Sequence, residues 1–269
     1  MHRPMRQLLT GTDLLSRLIA YRTLLKYLVL KDIKVKSRDT YLGVAWTLMN
    51  PLITIVTYFV VFQHIFRVGI RNFLAFFLVG LLTWIFFARA ISTAATCMVE
   101  NESMILTVAF PLETLPVACV LYHLFHHLIA LVLAVPLMLI FWGAQLSWNL
   151  LWLVPILLAF VGFTVALALL LATIGVFFRD TRDILEVGLP VLFWATPIFY
   201  DVSMAPEFLR PILVANPLTA FLDAMRGALL EARGPSWPEA SLMAFWIAAT
   251  AIVGLWVFGR FAPRFAEAA

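Results

Sequence analysis

The sequence predicts an all-α integral membrane protein. It has six transmembrane helices, an N-terminal amphipathic helix on the membrane interface, and short outer re-entrant or gate helices between the fifth and sixth spans. Three observations predict this. Hydrophobic residues make up 63% and charged residues 13% of the 269 positions, against roughly 25% charged in a soluble domain. The apolar residues gather in runs of bilayer-crossing length, about 20 residues each. Lysine and arginine are spread unevenly about those runs, which is a signal of topology.

Residues 1–40 form a cytoplasmic N-terminal segment, and residues 41–269 the membrane domain. In LLSRLIAYRTLLKYLVL (14–30), Leu14, Leu18, Tyr21, Leu25 and Leu28 recur at helical spacing, with Arg17, Arg22 and Lys26 mainly to the sides. Apolar and basic residues together before a membrane run favour a helix lying in the inner interface. The alternative is a helix packed on the protein's own cytoplasmic side. Lys31, Lys34, Lys36 and Arg38 follow, just before the first span.

The spans are read at 44–66, 72–96, 116–141, 149–177, 185–200 and 240–260. The fifth is short and carries Pro190 and Pro197, so it spans with a broken outer end or tilts. Nine basic residues precede the first span, Arg179 and Arg182 sit in the 178–184 loop, and Arg260 and Arg264 in the tail. Placing these inside puts both termini in the cytoplasm. The outer segments then hold only Arg67, Arg71, Arg210, Arg226 and Arg233. Between spans five and six, a short helix is expected near 204–214. Asn216 then reads as an N-cap and Pro217 as the first position of a second helix. Leu218, Phe221, Leu222, Met225 and Leu229 share one side of it. Such a pair can dip back toward the membrane where protein or a wet path covers it.

Several function classes are excluded by residue chemistry. A net charge of +4 on so apolar a chain leaves too little surface for a nucleic-acid groove. Cys97 and Cys119 form neither a disulfide framework nor a zinc-ligand spacing. No GxxxxGK[ST] and no GxSxG occurs, so any ATP site belongs to another chain. No secretory signal peptide is visible, and the first apolar run is expected to direct insertion itself. His123, His126 and His127 (HLFHH) share a helix face at i, i+3 and i+4. A metal-binding box would need more such clusters, and only His2 and His64 remain. Hydrogen bonding between helices, or toward a wet path, is the plainer reading.

Arg89 is the one basic residue well inside a predicted span, and intramembrane charge is costly. It either lines a path or snorkels to the inner interface. Trp142, Trp148 and Trp152 mark an outer aromatic belt. Aromatic rings of the first two spans, including Tyr58, Phe59, Phe62, Trp84 and Phe87, could stack on sugars or simply pack. The inner segment CMVENESMILTVAFPLETL (97–115) is acidic, through Glu100, Glu102 and Glu113. It is also apolar, through Val108, Phe110 and Leu112 beside Pro111. That mixture fits a short helix inserted into a partner protein. FFRDTRDI (177–184) is either a second contact or a satisfied turn.

Taken as a set, these motifs resemble the polysaccharide-exporting ABC permeases, the membrane subunits of O-antigen, capsule and teichoic-acid exporters. The signature is Lys31, Asp32, Ile33, Lys34, then Leu42, Gly43, Trp46 and Pro51. Asn101, Pro111, Glu113 and Pro116 stand where that family's inner loop has them. FFRDTRDI, ATPIFYD and NPLTAFLDAMRGALL resemble its later segments. The likeness covers about residues 25–235.

The resemblance implies a transport subunit and not an enzyme, in the bacterial inner membrane. Two copies of this chain would form the channel, driven by two P-loop ATPase subunits that hold ATP and Mg; this chain would bind no cofactor. The cargo would be a lipid-linked glycan. Glu100, Asn101, Glu102, Ser103, Pro111 and Glu113 would lie on the coupling helix, with Arg179, Asp180 and Asp183 as a second contact. Tyr58, Phe59, Phe62, Trp84, Phe87 and Arg89 are candidates for the path. Lys31, Lys34, Lys36 and Arg38 would mark the hinge between surface helix and channel wall. HLFHH is not part of the family pattern. Rival readings are an exporter of a drug or lipid, and a membrane-embedded enzyme.

Overall fold

The computed structural model describes residues 11–37, 72–141 and 147–265, with isolated positions between 49 and 61. Most of the predicted first span, with Tyr58, Phe59 and Phe62, lies outside the described residues, as do Arg38 and the side chain of Lys36. Ten α-helices are described: α1 (Gly11–Ala20), α2 (Arg22–Ser37), α3 (Phe73–Glu100), α4 (Glu102–Thr107), α5 (Thr114–Phe141), α6 (Leu153–Phe177), α7 (Thr181–Trp194), α8 (Arg210–Ala215), α9 (Pro217–Leu230) and α10 (Trp237–Phe261). No strand occurs among the described residues.

Four helices are long and apolar enough to cross a membrane, at Phe73–Glu100, Thr114–Ile140, Trp148–Phe177 and Trp237–Arg264. They fall on the predicted second, third, fourth and sixth spans. The predicted fifth span is shorter than expected. The helix α7 has 14 residues, about 21 Å at 1.5 Å per residue, against a hydrocarbon core of about 30 Å. It starts four residues earlier than the expected 185 and stops at Trp194 instead of 200. The stop has a local cause. Pro197 offers no N–H and pushes Thr196 out of helical geometry, and Ile198 N–H turns back to the Thr196 carbonyl.

α3 is the centre of the bundle, packing against α5, α6, α7 and α9, while α10 lies along α6. Lipid is as apolar as these side chains, so the helices associate by close fit and not by expulsion of water. Two glycines set that fit. A Cβ at Gly175 would strike the Ala95 carbonyl, and one at Gly254 the Ala166 carbonyl. The middle of the bundle is filled by rings: Phe160 lies 4.9 Å from Phe221 and 5.6 Å from Phe86.

The N-terminal segment forms α1 and α2 instead of one helix, although the backbone ladder runs on through Tyr21. Leu14, Leu25 and Leu28 are buried in a cluster with Cys97, Met98, Leu115, Phe258 and Phe265, and α2 packs along α5. Tyr21 is exposed. Leu15, Ile19, Tyr27 and Leu30 form a second, uncovered apolar set. The segment therefore packs on its own protein with one side and leaves apolar residues free on another.

Candidate functional site

The predicted functional residues fall into three places: the end of the bundle carrying α1 and α2 (the near end), its middle, and the opposite far end.

At the near end, Asn101 breaks α3 from α4. Its Nδ2 donates to the Cys97 carbonyl over 2.8 Å, and its Oδ1 accepts from Lys31 Nζ at 3.5 Å. Thr96 Oγ1 donates to Glu100 Oε1 over 2.8 Å. Glu100 and Ser103 are exposed, Glu102 half-buried. Leu106 and Val108 stand out into solvent at 57% and 53% exposure. Phe110 and Leu112 instead pack inward. Glu113 differs from the other acids. Its side chain is 4% exposed and accepts from Arg17 Nη1 at 3.4 Å. It ties α1 to the start of α5. Pro111 closes the turn by accepting from Thr114 Oγ1 over 2.7 Å. Lys34 is exposed on α2.

Arg179, Asp180 and Asp183 gather separately. The turn spans only Phe178–Asp180, because Thr181 already begins α7, its hydroxyl donating to the Phe178 carbonyl over 2.6 Å. All three charged residues are exposed. Arg182 pairs with Glu186 at 3.1 Å. A depression of about 510 Å3 lies beside them, floored by Leu171, Ile174 and Leu185.

In the middle of the bundle, Phe87 is 3% exposed and stacks on Phe163 and Phe160 at 6.1 and 6.2 Å. Its ring packs in the core of this chain. Trp84 is half-buried and meets Phe193 edge-on at 5.4 Å. Arg89 is exposed and borders a groove of about 440 Å3 between α3 and α5, together with Ser92, Thr93, Tyr122, His123 and His126. The three histidines diverge. His123 Nε2 lies 3.1 Å from Thr93 Oγ1. His126 Nδ1 donates to the Tyr122 carbonyl over 2.9 Å. His127 is buried and stacks on Phe86 at 5.2 Å. Three imidazoles facing one point are not formed.

At the far end, Asn216 caps α9 as expected, its Oδ1 accepting from Leu218 N–H at 3.0 Å. Its Nδ2 also donates to Thr196 Oγ1 and the Ala195 carbonyl. Sequence reasoning places Arg226 only among the basic residues of the outer segments and misses its burial. It is 3% exposed. Its guanidinium donates to the carbonyls of Pro197 and Ile198 over 2.8 and 2.9 Å, and to that of Phe76 over 3.3 Å. It also lies over the Phe76 ring at 3.4 Å. Burial pulls its pKa down to about 10, still charged at neutral pH. Asp223 is 3.8 Å away; burial pushes its carboxyl up to about 6, with Arg226 holding it back. A signal existed: Arg226 stands four residues after Leu222 and three before Leu229, on the apolar side of the helix. Arg233 closes this end by a forked pair with Glu239, both contacts 2.9 Å. Those bonds hold its pKa above the ordinary arginine value.

The arrangement has no cluster of three or more His, Cys, Asp or Glu side chains poised for a metal among the described residues. It has instead polar anchors at both ends of an apolar bundle, and between α3 and α5 a groove bordered by the cation of Arg89. Comparison with known proteins accords with that plan. The ABC-2 type transporter family profile matches residues 23–230. The chain is 33% identical over 263 residues to the O-antigen export system permease protein RfbA of Myxococcus xanthus, covering 94% of this chain and 98% of that one. It is 28% identical over 238 residues to an O-antigen export system permease protein RfbA of Klebsiella pneumoniae, covering 88% and 91%. With most of its length matched by the family profile, and nearly all of it by a permease relative, the chain belongs to the ABC-2 type transporter family.

Proposed function

We propose that this chain is the membrane-channel subunit of an ATP-driven exporter of a lipid-linked polysaccharide of the O-antigen type. The observation that carries this is the nearly full-length likeness to an O-antigen export permease. The chain works as a transport subunit in a bacterial membrane, and ATP hydrolysis belongs to a separate ATPase subunit.

In this reading two copies of the chain enclose the path, and two ATPase subunits sit below them. The near end faces the cytoplasm with both termini, which agrees with the basic residues on α1 and α2. The uncovered set Leu15, Ile19, Tyr27 and Leu30 supports an interfacial position for that segment. Six spans follow if the region 44–66 crosses once and α7, with the turn after it, crosses as a broken helix. The helix α4 is the coupling helix: Glu100, Asn101, Glu102 and Ser103 offer polar contacts, while Leu106 and Val108 are the apolar plug. Arg179, Asp180 and Asp183 make the second contact. The pair α8 and α9 stands at the outer gate. ATP and Mg act on the ATPase, and this chain holds neither.

Deleting the gene in its native cell tests the reading. Surface glycan should be lost and lipid-linked glycan should accumulate inside, both restored by the wild-type gene. Unchanged surface glycan would sink it. Reconstitution tests the coupling role. The double substitution Leu106→Asp with Val108→Asp should lower ATP-driven export at least ~10-fold, the loss of one well-buried apolar contact, without altering the melting temperature of the isolated chain.

A further inference from the structure

The groove between α3 and α5 has a chemistry that transport alone does not demand. Its lining is Ala88, Arg89, Ser92, Thr93, Tyr122, His123 and His126. Positions 88, 89, 92 and 93 share one side of α3, and 122, 123 and 126 one side of α5. Two polar helix faces thus meet within an otherwise apolar bundle. Arg89 lies eleven residues before the end of α3 at Glu100, roughly 16 Å along the helix axis. Its guanidinium has no carboxylate within ion-pair distance among the described residues. An intramembrane charge is costly unless something compensates it.

The hydrogen bonds show which groups are free to serve a ligand. Thr93 Oγ1–H donates to the Arg89 carbonyl over 2.9 Å. Its lone pairs then accept from His123 Nε2–H at 3.1 Å. Those two groups satisfy each other. His126 commits Nδ1–H to the Tyr122 carbonyl, which leaves Nε2 for a further partner. Ser92 is exposed. Arg89, His126 Nε2 and the Ser92 hydroxyl are then the groups of the lining left to meet a ligand, and the lining holds no carboxylate. Asp32 of α2 also stands near enough to act on Tyr122, but it does not line the groove.

We propose that this groove binds the phosphate or diphosphate linking the glycan to its lipid. Arg89 is the principal anion ligand, and His126 Nε2 and Ser92 Oγ support it. Arginine suits the task because its planar fork matches phosphate oxygens. The volume, about 440 Å3, falls among sites of roughly 300–1,000 Å3 that hold small ligands. The proposal rests on the exporter reading for the source of the anion, whereas the anion chemistry rests on the lining.

The test uses the whole transporter, this chain with its ATPase subunit, in lipid nanodiscs. A fluorescent polyprenyl diphosphate is titrated, with uncharged polyprenol and inorganic diphosphate as separate arms. Arg89→Gln should weaken binding of the lipid diphosphate about 10-fold or more, the loss of one charge-assisted contact. Arg89→Lys should keep part of it, and His126→Gln should weaken it less than Arg89→Gln. Equal affinity of wild type and Arg89→Gln overturns the proposal. Inorganic diphosphate binding as tightly, with the same dependence on Arg89, overturns the lipid source and assigns the site to a free anion. If Arg89→Gln does not assemble, wild-type protein is photo-crosslinked with a diazirine-bearing lipid diphosphate. Adducts within 88–93 or 122–126 support the site, and adducts confined elsewhere overturn it. If surface glycan survives gene deletion while Arg89-dependent binding persists, the exporter reading fails and the anion site stands.

Discussion

The two ends of the bundle are held by different means. The far end is fastened by polar contacts around a buried arginine, Arg226. Arg226 reaches three carbonyls on two segments distant in sequence, Asn216 bridges two segments, and Arg233 forks onto Glu239. The near end is fastened by apolar packing around Leu25, Leu28, Met98 and Phe258, with the Arg17–Glu113 ion pair at 3.4 Å and the Lys31–Asn101 hydrogen bond at 3.5 Å among its polar ties. Apolar contacts tolerate sliding, whereas a carbonyl clamp does not. The far end therefore depends on the Arg226 hydrogen bonds more than the near end depends on its ion pair.

Substitutions can break this contrast, beginning with its strongest element. Arg226→Met should destabilise the protein by about 3 kcal/mol or more, because buried carbonyls lose their donors. Thermal unfolding in detergent reads the loss. Arg226→Lys should rescue little of it, since an ammonium cannot span the same three carbonyls as a fork. Gly80→Ala attacks the same clamp from behind. A Cβ there would lie 2.9 Å from Arg226 Nη2 and from the Ile198 carbonyl; the expected cost is about 1–3 kcal/mol.

At the near end, a double-mutant cycle on Arg17→Gln and Glu113→Gln should give only about 0.5–1 kcal/mol of coupling, since Arg17 is 37% exposed. A larger value there than at Arg226 would reverse the comparison. Asp223 offers a pH test of the far end. Its folded pKa, about 6, lies above the ordinary 3.8, so folding favours its protonated form. This contribution is full below about pH 4 and is lost as pH rises through about 6. Asp223→Asn should flatten that slope in the melting temperature. The change should be small, because the side chain is 38% exposed and screened by water. Smallest of all, Arg182→Gln should cost about 0.3 kcal/mol, as befits an exposed i,i+4 pair.

The same contrast explains what the sequence makes legible. The four long spans follow from apolar length, which needs no knowledge of neighbours, and their bounds agree with the pattern to within a few residues. The Asn216–Pro217 helix start is local chemistry and was equally readable. Arg226 was not placed, because its solvation comes from Phe76, Pro197 and Ile198, and charge counting treats every arginine as solvated. Glu113 was grouped with the docking acids because its partner, Arg17, is 96 residues away. The length of α7 was misread because apolar content runs on past Trp194 while the backbone, turned by Pro197, does not. Phe87 looked like its neighbour Trp84 in sequence, and only packing separates a core ring from a half-open one.

α3 joins the two ends in one piece. Its 28 residues make a rod of about 42 Å. Tilting such a rod by about 10° about one tip displaces the other by about 7 Å. One tip carries Asn101 and the α4 helix; near the other, the Phe76 carbonyl rests in the Arg226 clamp. The helix is a lever with a load already attached at each end. A modest stroke against α4 would therefore arrive at the far end as a pull on one particular hydrogen-bonded carbonyl.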